Sequence, residues 1–179
     1  MKRVFVGLSL LFAAIIGFSQ TRDTTRGSIP LSAEIQMGKA SIRINYYSPA
    51  VRGRIIWGGL VPLDQVWVAG AHSATSIEFA VPIEINGKQV KGGKYALFAI
   101  PSKNEWTIII NRNWEQHLSD EYSEKEDIAR LKVPAQETSF RERLNYHCLT
   151  HHMNHSDMMK DKTSTLRFVR MSYAPRSDF

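Results

Sequence analysis

The sequence predicts an all-β domain, most simply an antiparallel β-sandwich, with a curved, partly closed antiparallel barrel as the alternative arrangement of the same strands. Three observations carry that prediction. From Lys39 to Tyr47, Ala40, Ile42, Ile44 and Tyr46 alternate with Ser41, Arg43 and Asn45, the period of two expected of a strand with one buried face. Ser76 to Ile85 repeats the alternation through Ile77, Phe79, Val81, Ile83 and Ile85. Beyond it, strand-like segments succeed one another across short turns, which favours antiparallel neighbours.

In chain order, residues 1–20 have the form of a signal peptide. Lys2 and Arg3 precede an apolar run from Val4 to Phe18, and Gly17, Ser19 and Gln20 supply small or polar residues near a cleavage point. The run is shorter than the about 20 residues of a membrane span, and no cysteine follows it to take a lipid anchor. A periplasmic or secreted chain, with no stable membrane span after cleavage, is expected. Residues 21–34 are polar and contain Gly27 and Pro30, which reads as a flexible arm, so order is expected from Ile35. Residues 35–146 form the β-rich domain. Ser48-Pro49 ends its first strand, and Pro82, which cannot donate to a ladder, implies an edge or a bulge in the second.

Asn86-Gly87 is a hairpin signal, because both residues tolerate the positive φ of a type I′ turn. It is expected to join strands around Ile83 and Val90 at the centre of the sheet. Gly92-Gly93 marks another turn, and Lys94–Ile100 and Glu105–Asn111 are strands rich in Tyr, Phe, Trp and Ile. The acidic run from Asp120 to Asp127 suggests at most one short helix near 119–127, capped by Ser119. It lacks the spacing and turn glycine of an EF-hand calcium loop. Ala129, Leu131 and Val133 alternate as a further strand, and Phe140 to Tyr146 is another. Residues 147–164 read as a His- and Met-rich linker, and 165–179 as a tail whose final strand covers Thr165 to Tyr173.

The 23 bases and 17 acids give a formal charge of +6, which becomes +4 once Lys2 and Arg3 are removed. Bases and acids interleave without a polybasic tract, so a nucleic-acid partner is not expected despite the pI near 9.5. Cys148, the single cysteine, cannot form an internal disulfide.

The block from Tyr46 to Thr75 concentrates uncommon residues with no simple helical or strand period. Arg52 and Arg54 lie two apart and on an extended segment share a face, a spacing suited to one carboxylate or phosphate; the alternative is that they satisfy loop carbonyls. Trp57 and Trp67 offer an aromatic platform or core filling. Arg52, Arg54, Trp57 and His72 are therefore the candidate ligand-binding residues. His72, in a turn of small residues beside Ser73 and Thr75, is also the one candidate catalytic residue, but no Gly-x-Ser-x-Gly elbow accompanies it and no catalytic set is assigned. In the tail, His147, Cys148, His151, His152 and His155 are candidate ligands for a soft or borderline metal, since His151 and His155 would share a helical face. The composition equally suits a polar linker, and neither a metal site nor a cofactor is assigned.

The runs SPAVRGRIIWGGLVP, VWVAGAHSATSIEF, INGKQVKGGKYALFAIP and EWTIIINRNWEQH resemble, in order and spacing, one family: the secreted bacterial domain of unknown function 2911 (DUF2911). The resemblance covers roughly Ile35 to Val133, extends more faintly to Tyr146, and lapses in the tail. It implies a β-rich secreted domain and brings no activity or catalytic residues. The resulting expectation is a module that binds a small ligand or an envelope component through loop block 48–75. Two alternatives remain open: a hydrolase using His72 with Asp64 or Glu78, and a metal-binding protein using residues 147–159.

Overall fold

Strand propensity and the period-two pattern build one antiparallel sheet that dominates the molecule. The computed structural model describes residues 27–37, 40–136, 139–148 and 169–172. Its strands are β1 (Ile29–Met37), β2 (Ala40–Ser48), β3 (Ser76–Phe79), β4 (Ile83–Ile85), β5 (Lys88–Val90), β6 (Gly93–Ile100), β7 (Glu105–Asn111), β8 (Asp127–Pro134), β9 (Asn145–Cys148) and β10 (Val169–Ser172). Six of them form a sheet in the order β1-β2-β3-β6-β7-β8, while β4-β5 and β9-β10 are separate two-stranded ribbons. The linear order leaves β1 and β8 as edges, so the sheet does not close into a barrel.

One face of the sheet is predominantly apolar. Opposed residues of antiparallel strands share a face, and the registers Ala33–Ile44–Ile77–Tyr95 and Leu97–Ile110–Ala129 place aliphatic and aromatic groups in line. Ile42, Ile44, Ile77 and Phe79 are at most 1% exposed, a burial worth roughly 1.5–3 kcal/mol per side chain. They pack with Ile85 and Val90 from the β4-β5 ribbon, Tyr146 of β9 and Leu144 just before it, and Val51, Ile56, Trp57 and Val61 from the long loop. The second layer of the sandwich is thus two ribbons and a loop.

Several boundaries differ from the sequence reading. The first described strand starts at Ile29, ahead of Ile35, because Pro30 sits at the start of β1, where a missing N–H is tolerated. Leu31, Ala33 and Ile35 then alternate against Ser32, Glu34 and Gln36. Asn86 and Gly87 do form the tight turn, with φ of 50° and 77°, but their hairpin is the β4-β5 ribbon. The centre of the sheet is β3 against β6, made possible because the chain breaks around Pro82. Among the described residues the helical element is a single 3-10 turn at Glu124–Glu126 preceded by Ser123, not Ser119. Residues 140–144 run alongside the loop through Leu144 N–H to Pro49 C=O (3.1 Å) and Val51 N–H to Glu142 C=O (2.7 Å), so β9 starts only at Asn145 and takes in His147 and Cys148, two residues of the expected linker.

Candidate functional site

The second face of the sheet changes character across its width. On β6 and β7 it carries Phe98 and Ile109, buried beneath Val68, Ala74, Trp114, Leu118 and Tyr122. On β1, β2 and β3 the register Ser32–Asn45–Ser76 puts three small polar side chains in one row, and the row through Glu34, Arg43, Glu78 and Lys94 is charged. Loops cover the apolar half because burial there is favourable, and stop where polar groups would have to be desolvated. At that step lies a groove of about 660 Å³. Its floor is the Ser32–Asn45–Ser76 row, and Tyr47 and Trp114 are aromatic members of its lining. Lys94 is held with its Nζ 3.7 Å from the centre of the Trp114 ring.

The lip of the groove is two turns stitched together. Ser73 and His117 form an isolated antiparallel bridge, Ala74 N–H donates to Gln116 C=O (2.9 Å) and Leu118 N–H to His72 C=O (2.7 Å). Ala69, His72 and Leu118 all adopt positive φ, at 53°, 59° and 49°. Such conformations cost non-glycine residues about 1–3 kcal/mol each and persist only where surrounding contacts impose them. Here the Ala69 carbonyl accepts from both Thr75 Oγ1 (3.1 Å) and Tyr146 Oη (2.7 Å). Close approach adds to the constraint: a side-chain carbon at Gly70 would lie 2.6 Å from Thr75 Oγ1. Burial, reinforced by nearby Tyr46, pushes the Tyr146 hydroxyl far above its usual range, so it remains a donor.

Beside the covered half, Asp127 receives Asn111 Nδ2 (2.7 Å), Tyr122 Oη (2.8 Å) and Arg130 Nε (2.7 Å). Burial, then the hydrogen bond to Asp127, pushes the Tyr122 hydroxyl up to about 12. Both oxygens of this carboxylate are engaged, which makes it a brace for the loop that carries Trp114.

The residues singled out from the sequence do not gather in this groove. Arg54 donates to the Val51 and Ala50 carbonyls of its own loop (3.0 and 2.6 Å). Arg52 is exposed, with its backbone N–H bound to Glu142 Oε1 (2.9 Å). Trp57 is 8% exposed and packs edge-on against Trp67 and Trp106 at 5.5 and 4.7 Å between ring centres. His72 stands next to the groove, its ring edge-on to Tyr47 at 5.1 Å, and no hydrogen bond or ion pair joins it to Asp64 or Glu78 among the described residues. His147 is exposed on β9, the side chain of Cys148 is not described, and His151, His152 and His155 lie outside the described residues. Among the described residues no three His, Cys, Asp or Glu side chains cluster as metal ligands.

Reading the sequence misses Ser32, Asn45, Ser76, Lys94, Trp114 and His117. The available signal was the polar, aromatic run after β7, NRNWEQH, whose residues have no strand period. Ser73, His117 and Asp120 have the composition of a hydrolytic triad, and His117 Nδ1 lies 3.2 Å from Asp120 Oδ2. That pair is 67% and 66% exposed, where solvent screens it to little effect, and no hydrogen bond joins Ser73 to His117.

The fold and groove together define a half-covered antiparallel β-sandwich domain. The chain belongs to the family described as Protein of unknown function (DUF2911), whose model matches residues 28–165. The match passes Tyr146 and enters the tail, where the motifs alone suggested divergence, because short motifs leave the positions between them unweighed. Comparison with curated proteins and with solved structures gives no match.

Proposed function

We propose that this chain is an exported module, periplasmic or secreted, that binds a small polar ligand in the groove between the β1-β2-β3 face and the 114–117 turn. The single observation that carries the reading is the abrupt end of the loop cover at the Ser32–Asn45–Ser76 row, which leaves hydrogen-bonding groups in a concave site of ligand size. Loop block 48–75 contributes through its end, Ser73 and Ala74, while Arg54 and Trp57 brace the loop. Export is supported by the signal-like form of residues 1–20, and no described helix is long and apolar enough to cross a membrane. Intact mass of the exported protein tests that half of the proposal: a product retaining Met1 to Gln20 speaks against it.

Binding is tested by thermal unfolding in the presence of organic acids, dipeptides and saccharides. A ligand that binds only the folded chain raises Tm by mass action. The reading expects a rise that disappears in Asn45→Ala and survives in Arg52→Ala. A rise lost in Arg52→Ala and kept in Asn45→Ala would move the site to the 50–54 turn.

A further inference from the structure

We infer that the groove's ligand is a neutral oligosaccharide. The inference rests on the proposed binding role of the groove and specifies its chemistry. A sugar ring presents hydroxyls that both donate and accept, around an apolar C–H surface. A complementary site needs uncharged groups of mixed donor and acceptor character, bordered by aromatic rings. The floor supplies them: two hydroxyls and one carboxamide in a row, on three neighbouring strands.

These groups are uncommitted. Among the described residues the side chains of Ser32, Asn45 and Ser76 make no hydrogen bond, although Ser76 is only 5% exposed. Gln116, also a lining residue and 4% exposed, donates through Nε2 to Asn113 C=O (2.6 Å), while its Oε1 has no donor among the described residues. Buried polar groups are normally paired, and one left without a partner is unfavourable. Hydroxyls of a ligand would serve both the donors and the acceptors here, whereas a carboxylate could only accept.

Charge selects the neutral class. Lys94 is balanced by Glu115 in the lining, and Arg43 on the neighbouring row is paired with Glu34 at 2.9 Å. The site has no excess of one sign with which to capture an acidic polymer. Tyr47 and Trp114 provide the aromatic border, and Lys94, fixed against Trp114, offers a positioned donor.

The test is calorimetric titration of the chain lacking residues 1–20 with maltotriose, tri-N-acetylchitotriose, trigalacturonate, succinate and dialanine, each at low and high salt. One of the two neutral trisaccharides is expected to bind with little salt dependence, and Asn45→Ala and Trp114→Ala should each weaken it by about ten-fold or more. Arg43→Ala, on the same face outside the groove, should leave affinity unchanged. Tighter, salt-sensitive binding of trigalacturonate overturns the neutral assignment. If succinate or dialanine binds in an Asn45-dependent way and no saccharide does, the saccharide inference fails while the groove remains a binding site. Absence of binding by all five, or binding indifferent to Asn45→Ala, overturns both.

Discussion

Tyr146 and Thr75 approach from opposite ends of the chain and donate to one carbonyl, that of Ala69, which is itself held at positive φ. Tyr146→Phe removes one donor and leaves Thr75 in place, so the cost should be about 1 kcal/mol, that of a single neutral hydrogen bond. Thr75→Val preserves shape, removes the other donor, and should cost about the same. The double variant strands a buried carbonyl with no donor, which adds a desolvation penalty of about 1–3 kcal/mol that neither single variant incurs. Urea unfolding of the four proteins measures the difference. With a slope of about 1–3 kcal/mol per molar, the double variant should lower the midpoint by roughly 0.3 M or more beyond the sum of the two single shifts. If the two effects simply add, to within about 0.3 kcal/mol, the shared-acceptor account of how the groove's lip is held is refuted.

Phe79→Ala should cost about 3–5 kcal/mol, since the ring is 1% exposed within the main core, while Arg52→Ala should cost little; equal losses in thermal unfolding would make the 50–54 turn a structural brace. Gly87→Val should cost on the order of 1 kcal/mol, mainly through backbone strain, because beyond its chain neighbours no atom lies within 4 Å of an added Cβ; an unchanged midpoint would refute the turn. Asp127→Ala should cost about 2 kcal/mol or more, as it removes an acceptor shared by three donors, Arg130 keeping Glu124 as a partner; a loss below about 1 kcal/mol in urea unfolding would contradict the bracing role. Tyr122 has its hydroxyl raised from 10.0 to about 12 in the folded chain, so the stability it contributes is fully present below pH 10 and falls as pH rises from 10 towards 12. Unfolding midpoints across that range should decline more steeply for the native chain than for Tyr122→Phe, and parallel declines would deny the linkage.

The strands were legible because alternation and turn chemistry are local. Ile42 and Ile44 are buried in β2 as their spacing requires, and Asn86-Gly87 makes the turn that positive φ permits. The exceptions are also physical. Thr21 to Pro30 is polar and holds a proline, yet β1 accepts Pro30 at its start, so composition hid the edge strand. The 49–75 loop reads as a site because it is rich in donors and aromatics. Much of that richness satisfies the loop: Arg54 covers carbonyls, and Trp57 fills a three-tryptophan cluster with Trp67 and Trp106. The groove was not legible, because Ser32, Asn45 and Ser76 are ordinary residues far apart in sequence. Only the pairing of β1 with β2 and of β2 with β3 brings them into line. Trp114 and His117 were visible in a polar run after β7, but nothing in the run states which strands it will face.

The central claim, that this groove is where the protein binds, is tested most directly by following its four tryptophan indole N–H resonances during titration with the two neutral trisaccharides. Trp57 and Trp106 pack in the main core on the other face of the sheet, Trp67 touches both that core and the cluster beneath the loops, and Trp114 lines the groove. The account predicts that the Trp114 resonance shifts with saturation while those of Trp57 and Trp106 stay in place. A saturable shift of Trp57 or Trp67 with Trp114 unmoved would place the ligand on the long loop and contradict the account.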